Sequence, residues 1–411
     1  MSLIQPFRAY RPKAEFAARV ASVPYDVVNT AEARQLAAGN PYSFLHVCRP
    51  EIDLPEGTDE HADRVYATGA ANLQKLIADG ILAREAEDSL YVYQQRMGEH
   101  VQAGLVVLCS VREYEENLIK KHEFTRGDKE DDRTRHVTEQ NANAEPVFLT
   151  YRAQSEIDAI VDGVRRSQPL YDVTTPDGIV HTIWRIAAPA TIAKLVELFG
   201  GVQALYIADG HHRTASAARY GQACRARNPH PTGNEPYESF MAVVFPHNQL
   251  KILDYNRLVK DLNGLTPEQF LSKVGDSFEV APAVHRQPSQ PASFGMYLQG
   301  GWYTLKARAG SYPSSDPIKR LDVSILQDNL LSPVLGIHDQ RTDKRIDFVG
   351  GIRGMDELER RVKAGYAVAF SLYPTSLNQL MDVADAGQIM PPKSTWFEPK
   401  LRSGLLVRLY E

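Results

Sequence analysis

The chain has 411 residues, more than one ordinary hydrophobic core accommodates, so we expect two or three domains. A hydrophobic fraction of 43% is typical of a globular protein, and a formal charge of −5 without a basic stripe argues against nucleic-acid binding. Three widely spaced cysteines exclude a disulfide framework. The sequence has neither an apolar run of about 18 residues nor a signal-peptide pattern, so we expect a cytoplasmic protein with no membrane span.

The first part of the chain mixes helical and strand patterns. After a proline-rich start, the sequence predicts helices at Thr30 to Ala38 and at about Asp59 to Asp79, each followed by a glycine. Ser89 to Gln95 and Ala103 to Arg112 then predict two adjacent strands. The very polar stretch that follows is predicted as a long loop or a charged helix, and it leads to a strand at Val147 to Tyr151.

The central part predicts a regular alternation of strand and helix. Its expected elements are a strand at Ile179 to Ile186, a helix at Pro189 to Phe199, a strand at Ala204 to Ala208, a helix from about Gly210 to Tyr220 and a strand at Phe240 to Phe245. Such alternation favours a sheet that is covered by helices.

The last part alternates again after a proline-rich stretch at residues 281 to 297, which we expect to be a linker or an exposed loop. Beyond it, the sequence predicts strands at Trp302 to Ala307 and Ile346 to Val349, a helix at Met355 to Ala364 and a strand at Ala367 to Tyr373. The whole pattern predicts an α+β fold of mixed sheets with flanking helices.

The segment Asp209-Gly210-His211-His212-Arg213 is the strongest functional signal in the sequence. Asp209 ends a predicted strand, where its carboxylate is placed to cap the next helix, and Gly210 permits a sharp turn. A helix N-terminus offers unpaired N–H donors to an anion, and His211, His212 and Arg213 add side-chain donors there. The segment therefore predicts a phosphate site. The alternative is a purely structural cap, with Arg213 paired to Asp209.

A metal site built from protein side chains is not expected at this segment. Adjacent histidines on a helix point about 100° apart, so His211 and His212 cannot share one ion easily, and Arg213 would repel it. A pair of Asp209 and His211 is the remaining alternative. A Mg²⁺ ion carried in by a nucleotide is easier to accommodate.

Seven idiosyncratic strings run through the chain: PFRAYRP, PYDVV, IKKHEFTR, YIADGHHRTASA, DYNRLVKDL, RIDFVGG and MPPKSTWFEPKLRSGL. Through them the chain resembles, along nearly its whole length, the bacterial and archaeal family catalogued as domain-of-unknown-function family 1015. That resemblance implies a shared fold and does not imply an activity.

The block from Ile179 to Phe245 resembles, more distantly, the core of the ParB/sulfiredoxin superfamily. In that superfamily a strand leads into a Gly-x-x-Arg turn at a helix N-terminus, and the turn holds nucleotide phosphates. Gly210, His211, His212 and Arg213 match the Asp-Gly-His-His-Arg-like box of its free-serine kinases. No cysteine stands in this turn, so the resemblance does not imply the sulfinic-acid chemistry of sulfiredoxin. We accordingly expect an N-terminal α+β domain at residues 1–170, a ParB/sulfiredoxin-like core at 171–280, and a C-terminal α+β region at 281–411 that packs on the core.

The resemblance implies a nucleotide-dependent kinase or phosphotransferase acting on a small hydroxylated, serine-like metabolite, with ATP or ADP and Mg²⁺. The Gly210–Arg213 turn would hold the donor phosphates. Asp209 or Glu123 would activate the acceptor as a base, and Lys393 would neutralise developing charge. Tyr25 and Asp26, in a proline-fixed turn, are further candidates to line the pocket. The alternatives are a non-enzymatic nucleotide-sensing or protein-binding module of ParB type, and a small-molecule phosphatase.

Overall fold

Two structural units divide the chain in a computed structural model that describes residues 4–411. The first unit comprises the described residues up to Leu250 together with Pro399–Glu411, and the second comprises Lys251–Glu398. The expected boundary at residue 170 falls inside the first unit, because strands on both sides of it join one sheet. The expected boundary at residue 280 likewise falls inside a strand of the second unit. The chain therefore divides at positions other than those expected.

The strands of the described residues are, in chain order, β1 (Ile4–Gln5), β2 (Tyr10–Pro12), β3 (Leu82–Arg84), β4 (Leu90–Met97), β5 (His100–Ser110), β6 (Ile119–Lys120), β7 (Ala142–Asn143), β8 (Val147–Tyr151), β9 (Tyr171–Thr174), β10 (Val180–Ile186), β11 (Leu205–Asp209), β12 (Ser239–Pro246), β13 (Lys251–Leu253), β14 (Tyr255–Val259), β15 (Phe278–Pro282), β16 (Ser293–Leu298), β17 (Gly301–Ala307), β18 (Ile346–Gly350), β19 (Val368–Leu372), β20 (Trp396–Glu398) and β21 (Arg408–Leu409).

The α-helices of the same residues are α1 (Ala17–Val20), α2 (Thr30–Ala37), α3 (Leu45–Cys48), α4 (Asp63–Ala78), α5 (Val111–Glu115), α6 (Gly127–Gln140), α7 (Ser155–Arg165), α8 (Pro189–Gly200), α9 (His211–Arg227), α10 (Pro267–Ser277), α11 (Asp322–Leu326), α12 (Gly354–Lys363) and α13 (Leu377–Asp385). Both units thus contain strands and helices, and the fold is α+β. Within residues 4–411, no helix has the length and apolar character needed to cross a bilayer.

A mixed sheet forms the centre of the first unit, in the order β6-β11-β8-β12-β5-β4-β10-β9, with β1 paired to β5. The pairs β11–β6 and β12–β8 are parallel, whereas the other pairs are antiparallel. Every residue of β12 is buried, as expected for a strand that is covered on both faces. Helices α7 and α8 contribute Ile157, Leu195 and Phe199 to the same apolar core as the strands.

The central elements agree with the sequence prediction. Strands β10, β11 and β12 and helix α8 lie within one or two residues of their expected positions. Helix α9 is longer than expected, because it continues through Gly221 to Arg227. A Cβ atom at Gly221 would lie 2.8 Å from the carbonyl oxygen of Tyr237, so the helix packs against that backbone where only glycine fits.

Two uncertain stretches take definite structure. The polar stretch before β8 contains the charged helix α6, which buries Asp132 and Arg133 as an ion pair with an N–O distance of 2.6 Å. The stretch at residues 281 to 297 is not a linker, because it contains the end of β15 and most of β16, but residues 283–292 between these strands form the exposed loop that was the other expectation. Phe294 and Met296 are fully buried in β16, and the prolines lie at the strand end or between the two strands.

The second unit is built on an antiparallel sheet in the order β15-β17-β16-β19-β14-β18, with β13 and β20 paired separately. Its small apolar cluster includes Leu258, Val349 and Leu358. Helix α12 supplies Leu358, while the other two residues come from β14 and β18.

The segment Pro399–Glu411 belongs to the first unit. Strand β21 pairs with β7, and Val407 bridges to Tyr10. The buried Arg402 donates from Nε to Nε2 of His181 at 3.1 Å, and the opposite ring nitrogen of His181 lies 2.8 Å from the hydroxyl of Tyr93. These contacts fix the segment against β4 and β10.

Candidate functional site

The turn between β11 and α9 leaves a helix N-terminus without a side-chain cap. Gly210 is the N-cap residue, with φ +91°, a conformation that glycine adopts without the steric penalty of a Cβ atom. Asp209 accepts a hydrogen bond from the Gly210 N–H at 2.8 Å rather than from the first helical turn. The N–H groups at the start of α9 are therefore oriented towards an approaching anion, and the helix dipole favours negative charge there.

Asp209 is held in its ionised form by two basic side chains. The ammonium of Lys400 donates to Asp209 Oδ2 at 2.9 Å, and Arg213 lies 4.0 Å from Asp209 Oδ1. Burial alone would raise the pKa of Asp209, but the charges of Lys400 and Arg213 and the two hydrogen bonds lower it below its ordinary value. Asp209 is consequently a weak proton acceptor.

Arg213 is nearly buried, at 9% exposure, and is anchored on several sides. One terminal nitrogen donates to the carbonyl oxygen of Pro146 at 2.6 Å, and the other lies 3.6 Å from Asp26. Burial would lower the pKa of Arg213, but the carboxylates of Asp26, Asp209 and Glu145 raise it. The guanidinium is therefore firmly charged and partly neutralised by its surroundings, and it packs directly beneath the turn at Gly210.

His211 faces two residues from the loop that precedes α6. Its Nδ1 lies 3.9 Å from Oε2 of Glu123, and its ring meets the ring of His122 edge to face at 4.5 Å between centroids. Burial lowers the pKa of both histidines, in the case of His122 to about 4. The Nε2 atom of His211 is buried without a hydrogen-bond partner, an arrangement that costs about 1–3 kcal/mol.

His212 points in a different direction from His211, as expected for adjacent residues of a helix. Its Nε2 accepts a hydrogen bond from the backbone N–H of Arg126 at 3.1 Å, and burial lowers its pKa. His212 therefore fixes the loop that carries Glu123 to the start of α9.

The structure thus brings Glu123 to the Asp209–Arg213 turn, although 86 positions separate Glu123 from Asp209 in the sequence. Asp26 also lies at the turn. Lys393 belongs to the second unit, where its ammonium is 5.7 Å from the ring centroid of Tyr255, and its part in the site stays a prediction.

Sequence reasoning missed Lys400, His122 and Glu145. Lys400 stands in the same terminal string as Lys393, and His122 immediately precedes Glu123, so both were within the strings that carry the family resemblance. The sequence contains no signal that Lys400 and His122 lie close to the Asp209–Arg213 turn. The side chains able to hold a metal ion, among residues 4–411, are His122, Glu123 and His211, whose ligand atoms all lie within 4.8 Å of one another.

The profile of the family described as "Protein of unknown function (DUF1015)" matches residues 4–324, which confirms the resemblance read from the sequence. No curated protein sequence matches the chain.

Several solved structures are similar to this chain at low identity. A mutant free serine kinase in complex with AMP has 14% identity and a TM-score of 0.38, covering 73% of this chain and 91% of its own. A conserved hypothetical protein from Pyrococcus furiosus has 15% identity and a TM-score of 0.36, covering 74% and 95%. SbnI with a C-terminal truncation, from Staphylococcus aureus, has 11% identity and a TM-score of 0.39, covering 74% and 87%. These likenesses are weak, and none establishes an activity for this chain.

Proposed function

The chain belongs to the DUF1015 family, and from the geometry of its site we propose that it is a nucleotide-dependent kinase. It would transfer a phosphoryl group from ATP or ADP to a hydroxyl of a small metabolite, with serine as the leading candidate. The observation that carries this proposal is the uncapped start of α9 behind Gly210, with Glu123 close by at His211.

The donor nucleotide would bind with its phosphates at the start of α9. Phosphoryl transfer depends mainly on positioning and on electrostatic stabilisation of the phosphate oxygens, which helix N–H groups can supply. The buried Arg213 and the partly exposed Lys400 are both paired with carboxylates, so they would act on the phosphates through their charge rather than by direct contact. A Mg²⁺ ion would enter with the nucleotide.

Glu123 is the better of the two candidate bases. Asp209 is bonded to Lys400 and to the Gly210 N–H, and its pKa is lowered, so its role is to position the turn. The Glu123 side chain is 44% exposed and can meet an acceptor that approaches from solvent. In the reaction, the acceptor oxygen attacks the terminal phosphorus and loses its proton to Glu123, while the nucleotide leaves with the electron pair of the broken P–O bond.

The first experiment is a thermal-shift series with ATP, ADP and phosphoserine in the presence of Mg²⁺, followed by an assay for phosphorylated product with serine. We expect nucleotides to raise the melting temperature by mass action. Glu123→Gln should keep that shift but lose about 10²–10⁴-fold in turnover, the usual range for a general base. Glu116→Gln, an exposed glutamate of the same unit, is the matched control and should behave like the wild type.

Other outcomes would redirect the assignment. Nucleotide binding without a phosphorylated product from any hydroxylated metabolite would favour the sensing module. A shift with phosphoserine alone would favour the phosphatase. The kinase proposal fails if no nucleotide shifts the melting temperature of the wild type.

A further inference from the structure

His122, Glu123 and His211 form a group that the phosphoryl-transfer reaction does not fully use. His122 and Glu123 lie in the loop between β6 and α6, and His211 is the first residue of α9. Their nearest ligand atoms all lie within 4.8 Å of one another, and two of the three residues are buried. The fold therefore gathers two imidazoles and one carboxylate from two distant parts of the sequence.

The orientation of the histidines suits ligation. The ring of His122 hydrogen-bonds to the backbone of Ile207, which is the kind of outer contact that fixes the ring of a metal-ligating histidine. His211 is 6% exposed and has a buried Nε2 with no hydrogen-bond partner among residues 4–411. The nitrogen of His211 that faces Glu123 is Nδ1, so an ion held between these two residues would bind Nδ1.

The spacing is close to that of a bound ion. Ligand atoms at about 2.0–2.2 Å from Zn²⁺ in a tetrahedron are separated by roughly 3.3–3.6 Å. Nδ1 of His211 and Oε2 of Glu123 are 3.9 Å apart, and no pair of the three ligand atoms is separated by more than 4.8 Å, so small side-chain adjustments would bring the group to the spacing of a bound ion. The positive end of α9 opposes a cation and the carboxylate of Glu123 offsets it, whereas the charge of Asp209 is already engaged by Lys400 and Arg213.

We propose that His122, Glu123 and His211 bind a transition-metal dication of the Zn²⁺ class through two nitrogens and one oxygen, with a fourth position open to water. Imidazole and carboxylate ligands suit such ions, and three protein ligands with one open position are typical of a reactive rather than a structural zinc site. The inference needs neither nucleotide nor acceptor, so it does not rest on the proposed kinase activity. The two roles of Glu123 exclude each other, because a carboxylate that binds Zn²⁺ does not serve as a general base.

The test is a zinc titration of the chelator-stripped, full-length protein in the absence of nucleotide, in competition with a chromogenic zinc chelator. We expect one Zn²⁺ per chain. Loss of an outer contact weakens metal binding about 10–100-fold, so His122→Ala and Glu123→Gln should each weaken it by at least that factor. His230→Ala, an exposed histidine of the same unit, should bind as the wild type does. Replacement of Zn²⁺ by Co²⁺ should give the visible absorption of a four-coordinate ion.

Glu123→Gln keeps the inference testable if a histidine variant fails to fold, because the Glu123 side chain is half-exposed and its replacement leaves the core intact. Equal zinc affinity in the wild type and in Glu123→Gln would overturn the proposal, as would the absence of zinc binding by the folded wild type. The titration contains no nucleotide, so a failure of zinc binding does not contradict the kinase proposal, which is tested separately by the nucleotide and product assays.

Discussion

Replacing Lys400 by methionine isolates the ion pair that holds Asp209. The Lys400→Met variant keeps most of the apolar stem of the side chain and removes the ammonium that lies 2.9 Å from Asp209 Oδ2. Removing one partner of a fully buried pair costs about 3–5 kcal/mol, whereas an exposed pair contributes about 0–1 kcal/mol. Lys400 is 17% exposed and Asp209 28%, and Asp209 keeps the Gly210 N–H and Arg213, so we expect a loss of about 2–3 kcal/mol at pH 7.

The assay is urea unfolding of the wild type and the variant, followed by circular dichroism. Lys194→Met is the matched control, because Lys194 is 45% exposed and pairs with Glu197 at 3.3 Å on the surface of the same unit. We expect that control to lose less than about 1 kcal/mol. A loss in Lys400→Met no larger than in Lys194→Met would refute the view that Lys400 holds the turn.

The pH dependence of the same variant provides an independent check. The pKa of Asp209 is lowered in the folded protein, so its contribution to stability is present above its unfolded pKa of about 3.9 and is lost as the pH falls towards the folded value. In the folded Lys400→Met variant the pKa of Asp209 is higher than in the wild type, because the ammonium that lowers it is removed. The difference in unfolding free energy between wild type and variant should therefore shrink on acidification and disappear only below the folded pKa of the wild type. A difference that stays constant down to strongly acidic pH would point to lost packing instead of lost charge.

Three other predictions follow from backbone contacts and buried charge. Gly210→Ala should destabilise the protein by about 1–2 kcal/mol, and by more than Gly233→Ala. Both glycines have a positive φ, but only at Gly210 would the added Cβ atom lie 3.1 Å from a side-chain atom. The urea midpoints of the two variants test this difference. Gly221→Ala should lower the free energy of unfolding by about 1–3 kcal/mol, because the added Cβ atom overlaps the backbone of Tyr237. Gly163→Ala, in open space on α7, should raise it by about 0.5–1 kcal/mol. If both variants changed the free energy of unfolding in the same direction in urea denaturation, the packing argument would be wrong. Burial lowers the pKa of His181 to about 3, so the free energy of unfolding should fall as the pH drops from about 6.5 towards 3. In urea titrations at pH 7 and pH 5, His181→Gln should make this fall in unfolding free energy smaller by about 1–2 kcal/mol.

Local chemistry made the centre of the site predictable. The strand that ends at Asp209, the glycine turn and the following helix lie where the short-range rules of backbone freedom predict them. The predicted cap by Asp209 was wrong, because the N-cap residue is Gly210 and Asp209 accepts a hydrogen bond from the Gly210 N–H instead. Helix α9 continues beyond the predicted end at Tyr220, and Gly221 lies inside it, where it packs against the backbone of Tyr237.

Contacts between distant segments were beyond sequence reasoning. Nothing in the pattern around Glu123 indicates that its loop reaches His211, because that contact depends on the order of strands in the sheet and on the bond from Arg126 to His212. Lys393 belongs to the second unit and Lys400 to the first, because the boundary between the units follows Glu398, the last residue of β20. Hydrophobic periodicity carries no information about such a boundary.

Because Pro399–Glu411 belongs to the first unit, that unit can be completed only after the second unit has been synthesised. Roughly 150 residues of the second unit are synthesised between β12 and Lys400, which takes on the order of ten seconds at ordinary translation rates. Throughout that interval the nascent chain already contains Asp209 but lacks the ammonium that neutralises it. Completion of the turn is therefore a late step of biosynthesis, and in a chain released before Lys400 the Asp209 carboxylate would keep Arg213 and the Gly210 N–H but lack its nearest cation.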